Sequence, residues 1–538
     1  MKESAIYDYI IVGAGSSGCA LAERLSRDAT ARVALIEAGK SDKSLLIRMP
    51  AGVRLLYNGA AYNWKFSTTA QPELEARKIY IPRGKVIGGS SSINSMIAIK
   101  GARSDYEKWA AVSSPEWGPE NMYRVLREIE DCSALPLVSR NGRGQDGPIK
   151  LSRRLTGHTL SEAYIEACEQ AGIGQNDEGF NGENQAGAGY FDVNIAYGKR
   201  HGASMFLKKA SGRSNLTVLS GLPVRRVHLE NGAACGVVVK KGSDEVLLRA
   251  DSEVILSAGS IGTPQLLMLS GIGPSTHLRE TGITPIIDAP EVGQNLRDHL
   301  DCSIRWATQG VDTYTKYFRP YEGLCHSALA GAQYLLKGTG SAATQGIEAG
   351  AFWGTDRPDQ AEFQTHLVLA LKWPPKGEQH PKNGFALRVC QLNPQSVGEI
   401  RLASADPNDA PFIDPRFLSH SKDLDMLADG VTRMVDVVES GAMRTYLDKA
   451  IDKDALSTDP EVVRRWIRKN AETVYHPVGT CRMGNDDSSV VDSALRVRGV
   501  ENLRVADASI MPTILSGNTN LSCMAIGLIA GETIQASS

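Results

Sequence analysis

The segment Tyr7-Asp8-Tyr9-Ile10-Ile11-Val12-Gly13-Ala14-Gly15-Ser16-Ser17-Gly18-Cys19-Ala20-Leu21-Ala22 constrains this chain more than any other. An apolar strand runs into G-x-G-x-x-G, a helix of small residues extends to about Ser26, and the strand Val33-Ala34-Leu35-Ile36-Glu37 follows, so the whole reads as a βαβ unit. Gly13 suits the tight turn, Gly15 lets backbone approach a pyrophosphate, and Gly18 lets helix and strand pack closely, with the positive helix end toward the phosphates. Glu37 stands 19 residues after Gly18, where a carboxylate accepts hydrogen bonds from ribose hydroxyls. The pattern predicts a bound adenine dinucleotide, and the acid favours FAD or NAD over NADP.

Glycine supplies 53 of the 538 residues, about a tenth against an average near 7%, and it is clustered. Pro82-Arg83-Gly84-Lys85-Val86-Ile87-Gly88-Gly89-Ser90-Ser91-Ser92-Ile93-Asn94-Ser95-Met96 reads as a loop whose bare backbone meets something polar and flat. A third cluster follows the strand Glu253 to Ala258 and runs from Gly259 to Gly273. It predicts another crossover helix, with Pro264 near its first turn and Gly271 near its end. The last segment, from Tyr475-His476-Pro477 through Asp507-Ala508 to Gly517-Asn518-Thr519-Asn520, returns to strand-and-loop punctuation and ends in a helix from Leu521 to about Ile534.

The length exceeds one ordinary core and predicts two or three lobes. A net charge of −2 without basic runs disfavours a nucleic-acid partner. No window approaches the roughly 20 apolar residues of a membrane span, and Met1 to Asp8 is too short and polar for a signal peptide. Nine scattered cysteines without a C-x-x-C pair predict reduced, mostly buried thiols in a cytoplasmic setting, with no disulfide framework and no metal site. Between about 300 and 465 the texture changes: Trp306, Trp353, Trp373 and Trp466 lie here with short alternating runs such as Phe385 to Val389, which suggests a more antiparallel sheet carrying a substrate surface.

Four motifs, Gly84 to Asn94, Gly259 to Gly273, His476 to Gly484 and Gly517 to Asn520, together resemble the glucose-methanol-choline (GMC) oxidoreductases, especially their choline dehydrogenase-like and alkanol dehydrogenase-like branch, over essentially the whole chain. The resemblance implies an α/β fold (α+β overall). Its Rossmann-like FAD-binding domain is discontinuous over 1–155, 212–300 and 465–538, and an inserted substrate domain over 156–211 and 301–464 is built on a largely antiparallel sheet flanked by helices. It further implies that Gly13, Gly15, Ser16, Ser17, Gly18, Glu37 and Ala38 hold the ADP half, with Trp64 and Val224 flanking the adenine and Ala258 and Gly259 lining the cofactor. Gly84, Val86, Gly89, Ser90, Asn94, Ser95, Met96 and Tyr475 would lie on the flavin side, closed by Asp507, Ala508, Asn518 and Thr519.

The implied activity is oxidation of an alcohol to an aldehyde, with hydride passing to flavin N5. His476 is the candidate base, since imidazole titrates near neutrality. Asn520 matches the position where members carry His or Asn and would hold the substrate oxygen. His299, in Leu296-Arg297-Asp298-His299-Leu300, is read as structural. Where some members attach the flavin through a His, this chain has Ile93, so FAD is expected to be non-covalent. The stretch Leu392 to Gly398, with Asn393 and Val397 where relatives often have basic residues, departs from the family without an evident reason. Phe352, Trp353, Phe363 and Trp373 favour a primary, apolar or aromatic alcohol.

No second dinucleotide fingerprint is visible, so electrons are expected to leave to oxygen, a quinone or another carrier. Oligomeric state (monomer or homodimer) and peripheral membrane contact are left open. The alternative on this scaffold is a relative of the hydroxynitrile lyase or fatty-acid photodecarboxylase kind.

Overall fold

The structure, a computed structural model, describes residues 2–153, 156–319, 322–354, 360–371 and 381–537. One seven-stranded sheet has the order Leu216–Ser220, Val33–Glu37, Lys2–Val12, Asp244–Leu256, Ala233–Lys241, Val224–Glu230, with Leu503–Val505 also on Asp244–Leu256. Pairing is parallel in its centre, where Val12 lies beside Ile36 and Leu256, and antiparallel from Asp244–Leu256 outward. Every residue of Val33–Glu37 is buried, the uninterrupted apolar run of a strand covered on both faces.

The helix Ser16–Leu25 lies so close to the first strand that a Cβ on Gly18 would come within 1.9 Å of the Gly13 carbonyl oxygen. The C-terminal helix Asn520–Ser537 packs on it in turn, and a Cβ on Gly527 would meet the Ser17 carbonyl oxygen at 2.2 Å. The crossover helix spans Gly259–Leu269, and Pro264 lies inside it instead of in its first turn. Proline lacks the N–H that would bond the Ser260 carbonyl. That carbonyl accepts instead from Thr480 Oγ1 at 2.6 Å, which ties this helix to the His476 segment.

The second sheet is antiparallel throughout, in the order Leu447–Ala450, Leu300–Thr308, Gly384–Gln391, Phe363–Val368, Ile347–Trp353, Gly187–Tyr190, with Glu472–Thr473 also on Leu300–Thr308. Its alternation separates a core face from a cavity face. Phe385, Leu387 and Val389 pack with Leu427, Val431 and Met434 of the helix Ser421–Ser440, but Ala386 and Arg388 face a cavity instead of open solvent. The helix Glu322–Lys337 lines that cavity through Leu324, Ser327, Ala330 and Gly331, and buries only Gly323 and Tyr334.

Replacing Gly527 with Ala forces the C-terminal helix away from Ser17 and should cost about 1–3 kcal/mol. Gly331→Ala, whose Cβ meets nothing within 4 Å, is the matched control. Thermal unfolding of both variants should show a lowered midpoint for Gly527→Ala alone.

Candidate active site

A cavity of about 1990 Å³ lies between the two sheets. His476, Asn520 and all the predicted cofactor residues except Gly18 and Val86 line it. Gly18 acts behind the surface by letting the helix approach Gly13. Val86 is a correction of another kind: its side chain is fully buried with Ile47, Leu56 and Ile93. The loop folds tightly enough that a Cβ on Gly84 would lie 2.1 Å from the Gly89 carbonyl oxygen, which turns Val86 inward and leaves backbone facing the cavity.

The glycine segments meet. Gly89, at φ +53°, would place a Cβ 2.7 Å from Gly15 Cα. Ser17 Oγ and Ser257 Oγ both donate to the Ala506 carbonyl, at 2.5 and 2.9 Å. Asp507 Oδ2 accepts from Gly259 N–H at 2.8 Å and Thr263 Oγ1 at 2.6 Å. Glu37 accepts from the N–H groups of Ala14 and Gly39 at 3.0 and 2.8 Å, and burial pushes its carboxyl up to about 7. A carboxylate has about four acceptor positions, so two backbone donors leave room for ribose hydroxyls. The helix Ser16–Leu25 has no side-chain cap and no acid in its first turn, so its N-terminal N–H groups are open to an anion. Arg83 Nε is buried beside the cavity without a partner. A bare glycine cradle, uncapped helix N-terminus, ribose-facing acid and orphaned guanidinium N–H fit FAD.

His476 follows a strained residue. Tyr475 has φ +72°, and a set of hydrogen bonds holds it there: its N–H donates to Thr473 Oγ1 at 2.7 Å and its carbonyl accepts from Arg83. Asp298 Oδ1 accepts the N–H groups of both His476 and His299, at 2.8 and 2.9 Å, and Oδ2 accepts from Thr473 Oγ1 at 2.5 Å. Burial raises the Asp298 carboxyl to about 6. The sequence reading singled out neither Arg83 nor Asp298, although both stand inside motifs it quoted.

Two expectations change at the His476 ring. Asn520, the first residue of the C-terminal helix, lines the cavity, but its Oδ1 accepts from Ser16 Oγ at 2.7 Å; Asn518 Nδ2 is the amide nitrogen at 3.2 Å from His476 Nε2. Gln364 Nε2 donates to Asn518 Oδ1 at 3.1 Å. His299 is no remote core residue: its Nδ1 lies 3.1 Å from His476 Nδ1, with the rings at 86°, and its Nε2 lies 2.9 Å from the Leu392 carbonyl oxygen. Leu392 opens the segment that departs from the family pattern. Burial holds His476 well below its ordinary value, helped by nearby His299, Arg83, His366 and Arg388. Burial also lowers His299 to about 4 and His366 to about 3.

Of the aromatic residues offered for the substrate, Phe352, Trp353 and Phe363 do not line the cavity. Phe352 and Phe363 are buried and Trp353 stacks on Phe363, while Trp373 lies outside the described residues. Tyr57, Tyr314, Tyr317, Phe318 and Tyr475 line it instead. The antiparallel sheet contributes His366, Arg305 and Arg388; Asp452 holds Arg305 at 2.6 and 2.8 Å, and Asp301 holds Arg388 at 2.8 Å through Nη2. Among the described residues no group of three His, Cys, Asp or Glu is placed to hold a metal, and no helix is long and apolar enough to cross a membrane. The nine cysteines are free, Cys325 among them exposed.

Family models described as GMC oxidoreductase match residues 7–301 and 394–527. The chain is 38% identical to an alcohol dehydrogenase [acceptor] of Pseudomonas putida, covering 98% of this chain and 96% of the relative. It is 36% identical to an oxygen-dependent choline dehydrogenase of Photobacterium profundum, covering 98% and 93%. Among solved structures it superposes on pyridoxine 4-oxidase from Mesorbium loti with a TM-score of 0.86 at 29% identity, over 98% of this chain and 99% of that one.

Because His366 is neutral in the fold but titrates near 6.5 when unfolded, the unfolded chain binds the extra proton and stability falls as pH drops below about 6.5. At pH 5 this one group costs about 2 kcal/mol relative to pH 7. His366→Phe should therefore lose less stability than wild type on acidification, by up to about that amount. Thermal midpoints of the two proteins at pH 7 and 5 measure it, and the raised carboxyls of Glu37 and Asp298, common to both, cancel.

Proposed function

The chain belongs to the GMC oxidoreductases, FAD enzymes acting on alcohols, and we propose that it oxidises a primary, apolar or aromatic alcohol to the aldehyde and passes the electrons to oxygen, a quinone or another carrier. The observation that carries this reading is the His476 ring: a buried imidazole held neutral, with Nε2 turned toward the Asn518 amide donor at the cavity wall.

FAD, when bound, supplies the two-electron oxidant. The chain's own task is to take and hold a proton. In the resting site Asn518 Nδ2 occupies the Nε2 lone pair; an alcohol hydroxyl displaces it, donates its proton to Nε2, and leaves the amide to meet the oxygen. Asn520 belongs to the same proposal as the partner that positions the substrate oxygen, at the positive N-terminus of the helix Asn520–Ser537. The tyrosines and Phe318 at the cavity wall support an aromatic or apolar substrate. The domain division given above is part of this reading, supported by the membership of the two sheets, with Glu472–Thr473 crossing to the second.

An alcohol panel run anaerobically, then with oxygen and with a dye or quinone acceptor, tests the function: bleaching of the flavin by a primary alcohol is expected, and product formation without bleaching would point to a lyase instead. His476→Ala should slow that bleaching by about 10²–10⁴-fold. Ile93 offers no nucleophile at the cavity, so acid precipitation should release the flavin into the supernatant.

A further inference from the structure

We propose that His299 is a positioning residue for the oxidation: through it, the backbone carbonyl of Leu392 decides which ring nitrogen of His476 is bare. The inference rests on the reading of His476 as the base.

The order of hydrogens is set first at the carbonyl. Leu392 O can only accept, and His299 Nε2 lies 2.9 Å away, so that nitrogen carries the hydrogen. A second carbonyl, of Leu515, also faces the ring, but the 2.9 Å hydrogen bond is to Leu392. The His299 ring is fully buried and neutral, and a neutral imidazole has one ring hydrogen, so its Nδ1 is a bare acceptor. His476 Nδ1, 3.1 Å from it, must donate, because two bare nitrogens at that distance repel. His476 Nε2 is then bare, and it faces Asn518 Nδ2 at 3.2 Å, a donor. Followed from the other end the direction is the same: Gln364 Nε2 donates to Asn518 Oδ1 at 3.1 Å, which leaves the Asn518 NH₂ group for His476. Four contacts each pair one donor with one acceptor. The reverse tautomer would set a bare nitrogen against the Leu392 carbonyl and put hydrogen on the Nε2 that must accept the alcohol proton.

The ring partner of the base is thus a neutral imidazole. The neighbouring carboxylate, Asp298, is engaged by two backbone N–H groups and the Thr473 hydroxyl, so it anchors the main chain of both histidines while His299 aligns the ring. When Nε2 takes the alcohol proton, Nδ1–H stays on His476 and goes on donating to His299, and no proton leaves the pair. An uncharged acceptor stabilises the imidazolium less than a carboxylate would, which leaves the proton easier to release after turnover.

The test uses ¹⁵N-histidine-labelled holoenzyme together with stopped-flow reduction by an alcohol. In wild type, the His476 signals, identified by their loss in His476→Gln, should show a protonated Nδ1 and a bare Nε2. In His299→Leu the tautomers should mix, and flavin reduction should slow roughly 10- to 100-fold with FAD content and KM unchanged. His299→Asn, which offers an amide oxygen near the place of Nδ1, should restore most of the rate. A protonated Nε2 in wild type would overturn the proposal even if His299→Leu does not fold. So would a His299→Leu enzyme that keeps both the tautomer and the rate. Failure of the base reading looks different: His476→Ala would keep its rate, while the nitrogen spectrum, which needs no turnover, would still report the tautomer.

Discussion

Main chain lying directly on main chain, with no Cβ between, is the contact on which this molecule depends. Gly18 against Gly13, Gly89 against Gly15 and Gly527 against Ser17 bring together segments separated by up to about 500 residues of sequence. Each approach leaves no room for a methyl group. Ala506 draws the approaches together by accepting from Ser17 and Ser257 at once. The cavity is therefore an outcome of how the lobes join.

Within that wall the histidine pair shows how a buried site keeps a base usable. Desolvation alone makes His476 a poor proton acceptor, and the cationic Arg83 and Arg388 nearby push in the same direction. A weak base still serves if it is always neutral and always presents the same nitrogen. Rigidity supplies that second condition, through the strained Tyr475 backbone and the ties to Arg83, Thr473 and Asp298.

The first βαβ unit was legible in the sequence almost residue for residue, because strand, glycine spacing and terminal acid are local signals. The antiparallel sheet and its alternation were legible in kind, but not what closes over its second face, since the cavity that Gly384–Gln391 meets is formed by residues hundreds of positions away. The same reason explains what was not legible at the site. Val86 sits in a motif, yet which way it points depends on the fold of its loop. Asn520 and Asn518 are separated by one residue, and only the start of the helix decides which of them meets His476. His299 lies 177 residues before its partner, so no spacing argument could join them. Phe352 and Phe363 pack cores, and Tyr57, Tyr314 and Tyr317 of the cavity wall stand on short helical segments with too few turns to show a periodic pattern.

The helix Glu322–Lys337 covers part of the cavity while burying only Gly323 and the Tyr334 side chain, and Leu324, Leu329, Leu335 and Leu336 are each at least 67% exposed. Local opening costs roughly what an element's own packing contributes, so displacing this helix costs less than opening either core. Passage and durability are thus separately adjustable in this architecture: changes along that helix can alter how fast the interior exchanges with its surroundings while the seams between the glycine segments go on determining how long the fold survives.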